Sequence, residues 1–482
     1  MNIQRILRFI APAELTMETE NCDRSRISGL AGTRGLQAWD RLPRARLMRL
    51  GICALLISVG LVACKPQTSD PVTITLLDQG LISGYFFEKR AEILSDFTRQ
   101  TGIQVKILAP PETAADQLAL WQALLTRGSS SPDVVGVDVI WPGLLEPYLI
   151  DLKPYLGKDL DAYFPKLVAS YTVHGKVVAV PVRAGVGVLF YRSDLLKKYG
   201  YRAPPKSWVE LERVAARIQV GERAAGNPQF WGFVWEGAAS EALTCNALEW
   251  QVADGGGSVL EADRSVSVNN PKAIQAWERA ASWVGSISPP GVVAYTESDA
   301  GNVWLAGDAA FMRSWTSYIE LSRAATTLGR DHFDVTTLPS DGSGRAGTLG
   351  GSGVGVSRYS AHPREAVMLV RYLTRRDTEL RWSRLFSDPP TLPELYDSAE
   401  LLEASPYLAQ LKHSFEGGAI LRPAPQAGRD YAEISDAYSH AVHSVLTKKR
   451  NGASAAADLE RDIARIVGLE AIQLPAQPAK RE

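Results

Sequence analysis

Three apolar segments decide the fold of this chain: VTITLL at Val72–Leu77, QVKIL at Gln104–Leu108 and VVGVDVI at Val134–Ile140. Their lengths and their β-branched residues are typical of buried strands. Residues 87–100 and 115–125 lie between them and carry apolar side chains at helical spacing, and Gly102 follows the first helix as a C-terminal cap. This β-α-β-α-β alternation predicts an α/β layer with a largely parallel sheet.

The rest of the chain continues in the same style. A strand is predicted over Val177–Val182, a short helix capped by Ser193, and two longer helices that begin after Ser207 and Asn270. Two further helices, over residues 431–447 and 453–467, complete the pattern. Because no low-complexity linker divides this region, we expect two lobes that are each assembled from discontinuous pieces.

A secretory signal pattern precedes these segments. Arg44–Arg49 is a basic flank, Leu50–Val62 is an apolar run shorter than the ~20 residues of a membrane span, and Ala63 places a small residue before Cys64. Cysteine at that position resembles a bacterial lipobox. We therefore expect residues 48–63 to be a removed signal peptide and Cys64 to be acylated, which would hold the protein on a membrane in the periplasm or at the cell surface. The alternative is an ordinary secretory signal in which Cys64 is incidental.

The two ends of the chain are excluded from the fold prediction. Residues 1–47 are Arg-rich and lack periodicity, so we expect a mis-called start or a disordered leader. Residues 64–71 are predicted to be a tether and residues 471–482 a disordered tail. The mature chain then has 482 − 63 = 419 residues, which is too many for one hydrophobic core.

Composition argues against several classes of protein. The chain has 45% hydrophobic and 22% charged residues, a formal net charge of −1 and no basic run interleaved with aromatic residues, so nothing indicates a nucleic-acid-binding protein. After signal removal only Cys64 and Cys245 remain, and acylation of Cys64 leaves no pair for a disulfide. Cys245 lies in a helical apolar pattern and is predicted to be a buried packing residue.

The mature sequence contains no recognisable catalytic or metal-binding motif. It has no HExxH, CxxC or Walker A sequence, and the Gly-rich run at residues 349–357 is followed by apolar residues rather than a helix start. His440 and His443 share a predicted helix face without a third ligand. We therefore predict a protein that is not an enzyme and that has neither metal nor cofactor. A paired-carboxylate glycosidase stays open as an alternative, because sequence does not give carboxylate separations.

Tryptophan is the most distinctive residue type. Eleven of the twelve tryptophans lie beyond Cys64, several beside polar groups at predicted strand or helix ends. An indole face can stack on the C–H face of a sugar ring while Arg, Asp and Glu bind its hydroxyls. The composition is therefore compatible with carbohydrate binding, although most tryptophans in any protein are core residues.

Several segments, in this order, resemble the extracellular solute-binding proteins of ATP-driven sugar importers, particularly the trehalose/maltose type. They are FTRQTGIQV at residues 97–105, DVVGVDVIWPGLLEPYLID at 133–151, VLFYRSDLLKKYG at 188–200, PPKSW at 204–208, GFVWEG at 232–237, AAFMRSW at 309–315, LGG at 349–351 and LRP at 421–423. The resemblance covers essentially Val72 to Val467.

The resemblance implies a two-lobed periplasmic-binding-protein fold of type II, in which each lobe is a mainly parallel sheet flanked by helices. One lobe is expected to comprise residues 72–184 and 351–387, and the other residues 185–350 and 388–470. The hinge crossings are expected near 183–187, 351–355 and 385–390. The implied partners are a sugar, expected to be a disaccharide such as trehalose or maltose, and the permease subunits of the importer. The protein itself is expected to be a monomer.

The resemblance also implies the ligand-binding residues. Asp138 is expected to accept sugar hydroxyls, Trp141 and Trp315 to stack on rings, and Arg422 to donate to hydroxyls. The remaining implied cleft residues are Trp235, Glu236, Gly350, Gly351, Tyr85 and Gln117. For Asp138 the alternative is a helix N-cap, for Trp141 and Trp315 core packing, and for Arg422 a surface ion pair.

The chain departs from the family at three places. Tyr85-Phe86 stands where relatives often have Asn-Glu, Arg183 where many have Asp, and Ser352 where many have Trp. These differences put trehalose or maltose specificity in doubt and allow an altered or charged sugar. A receptor for iron or polyamines on the same fold is a further alternative, although the aromatic and arginine set argues against it.

Overall fold

The computed structural model describes residues 71–78, 84–111, 114–329, 332–340 and 347–469. The predicted leader, signal peptide, Cys64 and tail lie outside these residues. The described strands are β1 (Thr73–Leu77), β2 (Gln104–Leu108), β3 (Val134–Asp138), β4 (Thr172–Val173), β5 (Lys176–Val177), β6 (Val180–Arg192), β7 (Trp231–Val234), β8 (Ala309–Trp315), β9 (Phe333–Thr337) and β10 (Leu349–Val356).

Helices surround these strands. Those of the first part are α1 (Gly84–Thr101), α2 (Ala114–Thr126), α3 (Pro142–Leu145), α4 (Lys153–Leu156), α5 (Pro165–Ser170), α6 (Ser193–Lys198), α7 (Trp208–Ala224), α8 (Glu241–Ala253) and α9 (Pro271–Trp283). Those that follow are α10 (Glu297–Leu305), α11 (Tyr318–Ala324), α12 (Pro363–Leu373), α13 (Arg376–Phe386), α14 (Ala399–Ala404), α15 (Leu408–His413), α16 (Ala424–Ala427), α17 (Tyr431–Leu446) and α18 (Gly452–Ile466).

One mixed sheet runs through the described structure in the order β2-β1-β3-β10-β6-β8-β7, and β9 also pairs with β6. Strand β1 pairs in parallel with both β2 and β3, which agrees with the parallel layer predicted from the β-α-β-α-β alternation. The strand β10 runs antiparallel to both β3 and β6, and β6 runs antiparallel to β8 and β9. Parallel strands β1 and β3 place their carboxyl ends at one edge, where Asp138 lies.

The long strand β6 was underestimated from the sequence, where a strand was predicted only over Val177–Val182. Gly185 and Gly187 look like turn residues, yet both lie inside the strand. A Cβ on Gly187 would lie 2.2 Å from Glu249 Oε1, so the glycine is needed because another chain segment packs against it. Residues 180–186 of β6 pair with β10, and residues 187–192 pair with β8 and β9.

Local capping signals were read correctly at two helices and wrongly at one. Ser207 Oγ accepts from Glu210 N at 3.2 Å, and Asn270 Oδ1 accepts from Lys272 N and Ala273 N at 3.0 Å, as predicted. The prediction for Ser193 was wrong, because it is the first helical residue of α6 and Arg192 occupies the N-cap without a side-chain bond. The buried Cys245 confirms the predicted packing role, since its side chain is 1% exposed on α8.

Most tryptophans belong to the core. Eight of the eleven beyond Cys64 are fully buried: Trp121, Trp141, Trp208, Trp235, Trp250, Trp277, Trp283 and Trp304. Several pack edge to face, for example Trp235 against Trp250 with ring centroids 5.0 Å apart. Trp231, Trp315 and Trp382 are partly exposed. Among the tryptophans that the structure describes, only these three are therefore placed to meet a ligand without rearrangement of the core.

Candidate functional site

Asp138 and Arg422 form an ion pair at the carboxyl end of β3. Arg422 Nη2 lies 3.5 Å from Asp138 Oδ1, and the same carboxylate oxygen accepts from Ile140 N at 3.2 Å. Arg422 Nη2 also donates to the carbonyl oxygen of Leu349 at 3.1 Å, at the start of β10. The sequence prediction therefore selected two residues, 284 positions apart by their numbers 138 and 422, that are in contact in the fold.

Glu241 completes this group and was missed by the sequence analysis. Its Oε1 accepts from Arg422 Nη1 at 2.7 Å and from Tyr431 Oη at 2.6 Å, and its Oε2 accepts from Ser435 Oγ at 2.5 Å. Glu241 is the first residue of α8, where an acidic residue is explained by the helix dipole alone, so the sequence carried no signal of the pairing. Each terminal nitrogen of Arg422 thus has a protein acceptor, but each carries two N–H groups, so donation to a sugar hydroxyl does not require the loss of either bond.

Trp315, at the end of β8, is held on several sides. Its Nε1 donates to Glu297 Oε1 at 2.9 Å, and the guanidinium carbon of Arg313 lies 4.3 Å from its ring centroid. A Cβ on Gly350 would lie 2.7 Å from Trp315 Cζ3, so the absence of a side chain there leaves room for the indole. Trp315 and Gly350 are therefore direct neighbours.

The arginine under Trp315 is part of a buried charge cluster. Arg313 is fully buried and donates to Glu249 from Nε at 2.9 Å and from Nη2 at 2.6 Å. Its Nη1 lies 3.5 Å from Glu236 Oε2, which also accepts from Asn246 Nδ2 at 2.7 Å. Burial raises the pKa of Glu236 to about 7, although Arg313 acts in the opposite direction. Glu249 is the second residue that the sequence analysis missed.

The start of β10 joins the two groups. Leu349 O accepts from Arg422, while the next residue, Gly350, lies against Trp315. Gly351 has φ +121°, and a Cβ there would lie 2.4 Å from Arg183 O, so the strand accepts only glycine without strain at this point. Because Asp138 pairs with Ser352, the residues Asp138, Arg422 and Trp315 all lie around the first four residues of β10.

Ser352 extends this surface across the sheet. It pairs with Asp138 of β3 on one side and Arg183 of β6 on the other, and its Oγ accepts from Arg183 Nε at 2.9 Å. Arg183 Nη2 lies 3.7 Å from Asp78 Oδ1, and its guanidinium carbon lies 5.6 Å from the centroid of Trp382. The departures from the family at 183 and 352 thus contact each other.

The structure gives Trp141 and Trp235 core positions. Trp141 is 2% exposed and packs edge to face on Trp121 at 6.0 Å; Trp235 is 0% exposed and donates from Nε1 to Ser288 Oγ at 3.1 Å. Core packing was the alternative given for Trp141. Their predicted contact with ligand stays a prediction, and it requires movement of covering side chains.

The weaker candidates are less informative. Gln117 is 7% exposed and donates from Nε2 to Pro111 O at 2.9 Å. Tyr85 belongs to α1, but its side chain lies outside the described residues. In the part of the chain that the structure describes, no three His, Cys, Asp or Glu side chains are grouped as metal ligands, and no helix has the length and apolarity of a membrane span.

Comparisons with known proteins agree with this architecture. The family model of bacterial extracellular solute-binding proteins matches residues 92–409. A probable ABC transporter-binding protein of Deinococcus radiodurans is 40% identical over 412 residues, which are 85% of this chain and 98% of that protein.

Two solved structures are also similar. The maltose-bound MalE3 of T. maritima has a TM-score of 0.75 and 32% identity, covering 82% of this chain and 100% of that one. The solute-binding protein of Thermotoga lettingae bound to α-D-tagatose has a TM-score of 0.73, 21% identity and coverage of 83% and 100%. The predicted two-lobed α/β periplasmic-binding fold is confirmed by these neighbours. The chain belongs to the family of bacterial extracellular solute-binding proteins.

Proposed function

We propose that this chain is the solute-binding component of an ATP-driven importer and that its solute is a carbohydrate, in the first instance a disaccharide such as maltose or trehalose. The sugar binds between the lobes formed by residues 72–184 with 351–387 and by residues 185–350 with 388–470. The closed protein then delivers the sugar to the permease subunits in the membrane. Binding proceeds without turnover.

The observation that carries the proposal is the partly exposed indole of Trp315 beside the Asp138–Arg422 pair. An indole held by Glu297, Arg313 and Gly350 offers a fixed apolar surface for the C–H face of a sugar ring. The partly exposed Asp138 carboxylate, on the residue that pairs with Ser352 two positions along β10 from Gly350, can accept hydroxyl hydrogens. One apolar platform with a few convergent polar groups is the arrangement expected of a small-molecule site.

Relatives support the same solute class. The T. maritima protein that is 32% identical was solved with maltose. The maltodextrin-binding protein MdxE of Bacillus subtilis is 24% identical over 342 residues, covering 67% of this chain and 75% of that protein. The Deinococcus relative is named for an ABC transporter, which supports the importer as the partner.

The change of strand partners within β6 supports the proposed lobes. Residues up to Val186 pair with β10, and residues from Gly187 pair with β8 and β9. The Arg422–Asp138 contact of 3.5 Å then crosses between lobes, since residue 138 belongs to the first and residue 422 to the second. Opening of the lobes about the proposed crossings at 183–187, 351–355 and 385–390 would separate this pair.

Membrane attachment is the remaining part of the proposal. Acylation of Cys64 would tether the protein at the membrane surface next to the permease. Metabolic labelling with a radioactive fatty acid, compared between wild type and Cys64→Ser, tests this point. Label on the wild type alone is the expected result; unlabelled wild-type protein contradicts the anchor and leaves solute binding untouched.

Calorimetry with maltose, trehalose, maltotriose, sucrose and glucose tests the solute class. We expect saturable binding of at least one of these sugars, and a loss of affinity of about 30-fold in Trp315→Ala, because a buried stacking contact contributes about 2 kcal/mol. Trp231→Ala is the matched control, since Arg223 lies 4.3 Å from the Trp231 ring centroid, the same distance as Arg313 from Trp315. That variant is expected to bind like the wild type.

Three outcomes contradict the proposal. Absence of heat and of thermal stabilisation with every saccharide rejects carbohydrate as the solute class. Equal loss of affinity in Trp315→Ala and Trp231→Ala rejects Trp315 as the platform. Release of product from any of these sugars would favour a hydrolase instead.

A further inference from the structure

A single buried carboxylate, that of Glu249, holds both halves of the candidate site. Glu249 lies on α8 and is 1% exposed. Its two oxygens accept from Arg313 Nε and Nη2, and Oε1 also accepts from Thr348 N at 2.9 Å and from Thr348 Oγ1 at 2.8 Å. One carboxylate thus has four hydrogen-bond donors from two residues, Arg313 of β8 and Thr348 just before β10.

The first connection leads to the indole platform. Glu249 binds Arg313 in the bidentate manner, which fixes the plane of the guanidinium as well as its position. That guanidinium lies 4.3 Å from the Trp315 ring centroid. The orientation of Trp315 is therefore set from beneath by a group whose own position depends on Glu249.

The second connection leads to Arg422. Thr348 is followed directly by Leu349, whose carbonyl oxygen accepts from Arg422, and by Gly350, which lies against Trp315. Leu349 N donates to Ile420 O at 2.8 Å, so the segment that carries Arg422 is also tied to this strand. Moving Thr348 would thus move the acceptor of Arg422.

The Glu249 carboxylate is packed directly against β6. A Cβ on Gly187 would lie 2.2 Å from Glu249 Oε1 and 2.7 Å from Arg313 Nη2, so β6 passes directly over the pair. Glu236 contacts the same guanidinium only at 3.5 Å and accepts one bond from Asn246. Among the carboxylates at Arg313, Glu249 is therefore the one with the geometry to position it.

We propose that Glu249 is a positioning residue that sets the placement of Trp315 relative to the Leu349–Arg422 contact, and thereby the affinity for the solute. The effect on affinity rests on the proposed carbohydrate function. The effect on Trp315 does not, because it concerns the protein without ligand.

The variant Glu249→Asp keeps the charge and shortens the side chain by one methylene. Arg313 and Thr348 should then shift from their present positions, because the carboxylate no longer reaches both. Glu379→Asp is the matched control: Glu379 is also 1% exposed and accepts from Thr391 N at 2.8 Å and from Thr391 Oγ1 at 2.5 Å, but it contacts neither Arg313 nor Trp315 among the bonds described. Circular dichroism establishes that each variant is folded at the temperature of measurement.

The ligand-free readout is fluorine NMR of protein labelled with 5-fluorotryptophan. The Trp315 signal is assigned by its disappearance in Trp315→Phe, and the Trp231 signal by Trp231→Phe. We expect Glu249→Asp to shift or broaden the Trp315 signal and to leave the Trp231 signal in place, whereas Glu379→Asp alters neither. An unchanged Trp315 signal in folded Glu249→Asp overturns the proposal, even when the melting temperature falls.

The binding readout uses whichever saccharide the wild type binds. We expect Glu249→Asp to weaken binding about tenfold, and to have little further effect in a Trp315→Ala background, because both changes act on one contact. Unchanged affinity in folded Glu249→Asp overturns the positioning role. Failure of the wild type to bind any saccharide rejects the proposed function instead, and the NMR experiment then decides the proposal alone. If Glu249→Asp does not fold, Thr348→Val, which removes one donor to Oε1 at nearly constant volume, serves in the same two experiments.

Discussion

Two tryptophan–arginine pairs in the same sheet look alike and are held differently. Arg313 lies 4.3 Å from the ring centroid of Trp315, and Arg223 lies 4.3 Å from that of Trp231. Both indoles are partly exposed. Trp231 begins β7 next to Ala309, whereas Trp315 ends β8, so the pairs lie about 20 Å apart along the strands.

The difference lies beneath the arginines. Arg223 is partly exposed and donates from Nε to Phe230 O at 2.8 Å, whereas Arg313 is fully buried between Glu249 and Glu236. The carboxyl ends of parallel strands are also where α/β proteins place their ligands. An arginine stacked on tryptophan is therefore no sign of a site by itself; a buried ion pair beneath it, at the ligand edge of the sheet, distinguishes Trp315.

Replacing each arginine by methionine should give the largest difference between the two pairs, in the free energy of unfolding. Arg313→Met leaves two buried carboxylates without their cation and is expected to lower the free energy of unfolding by about 3–5 kcal/mol. Arg223→Met loses a stacking contact and one hydrogen bond and should cost about 1 kcal/mol. Urea denaturation measures both. Equal losses would show that burial of Arg313 makes no difference to stability.

The second test concerns the pH dependence of stability that arises from Glu236, which contacts the arginine beneath Trp315. Burial raises the pKa of this carboxyl from 4.5 to about 7, so the folded state holds the proton more tightly than the unfolded state. The stability it contributes is complete below about pH 4.5 and is lost as the pH rises through about 7. Glu236→Gln cannot ionise and should therefore gain about 3 kcal/mol relative to wild type between pH 4.5 and pH 8.

Unfolding free energies of wild type and Glu236→Gln over this pH range give the measurement. A difference between the two proteins that stays constant with pH would mean that Glu236 is ionised in the folded state throughout. No corresponding dependence is expected from the Trp231 side, where Arg223 donates to a carbonyl oxygen rather than to a carboxylate.

The smallest expected effect comes from the glycine next to Trp315. Gly350→Ala would place a Cβ 2.7 Å from Trp315 Cζ3, so the indole must move, at an expected cost of about 1–2 kcal/mol in stability and with weaker sugar binding. Gly291→Ala is the control, because the nearest atom to its Cβ is Tyr295 Cε1 at 3.6 Å. Thermal unfolding and calorimetry check both variants; equal behaviour would mean that the indole tolerates displacement.

The sequence predictions were correct where a feature depends on neighbouring residues and wrong where it depends on contacts with residues distant in sequence. The strand Gln104–Leu108 was predicted with its observed bounds, and the caps at Ser207 and Asn270 were found, because periodicity and capping involve neighbouring residues. The predicted strand was shorter than the observed β6, because the glycines inside β6 are required by close contact with Glu249 and β10, which are distant in sequence.

The tryptophan argument shows the same limit. Counting indoles made carbohydrate binding a reasonable hypothesis, but the fold buries eight of them and leaves Trp231, Trp315 and Trp382 partly exposed. Asp138 and Arg422, which were both predicted to bind the ligand, lie 3.5 Å apart. They were selected through the resemblance to a family and not through any local sequence pattern.

Residues a few positions apart along the chain are enough to specify the alternation of strands and helices, their caps and the apolar faces that build an α/β layer. Which partners the charged side chains find depends on the tertiary structure alone: Glu249 binds Arg313 across 64 positions and Thr348 across 99, and Arg422 binds Glu241 across 181. A glutamate on a helix looks the same in sequence whether it faces water or a buried guanidinium. Its role is fixed only when folding removes water and leaves one partner within reach.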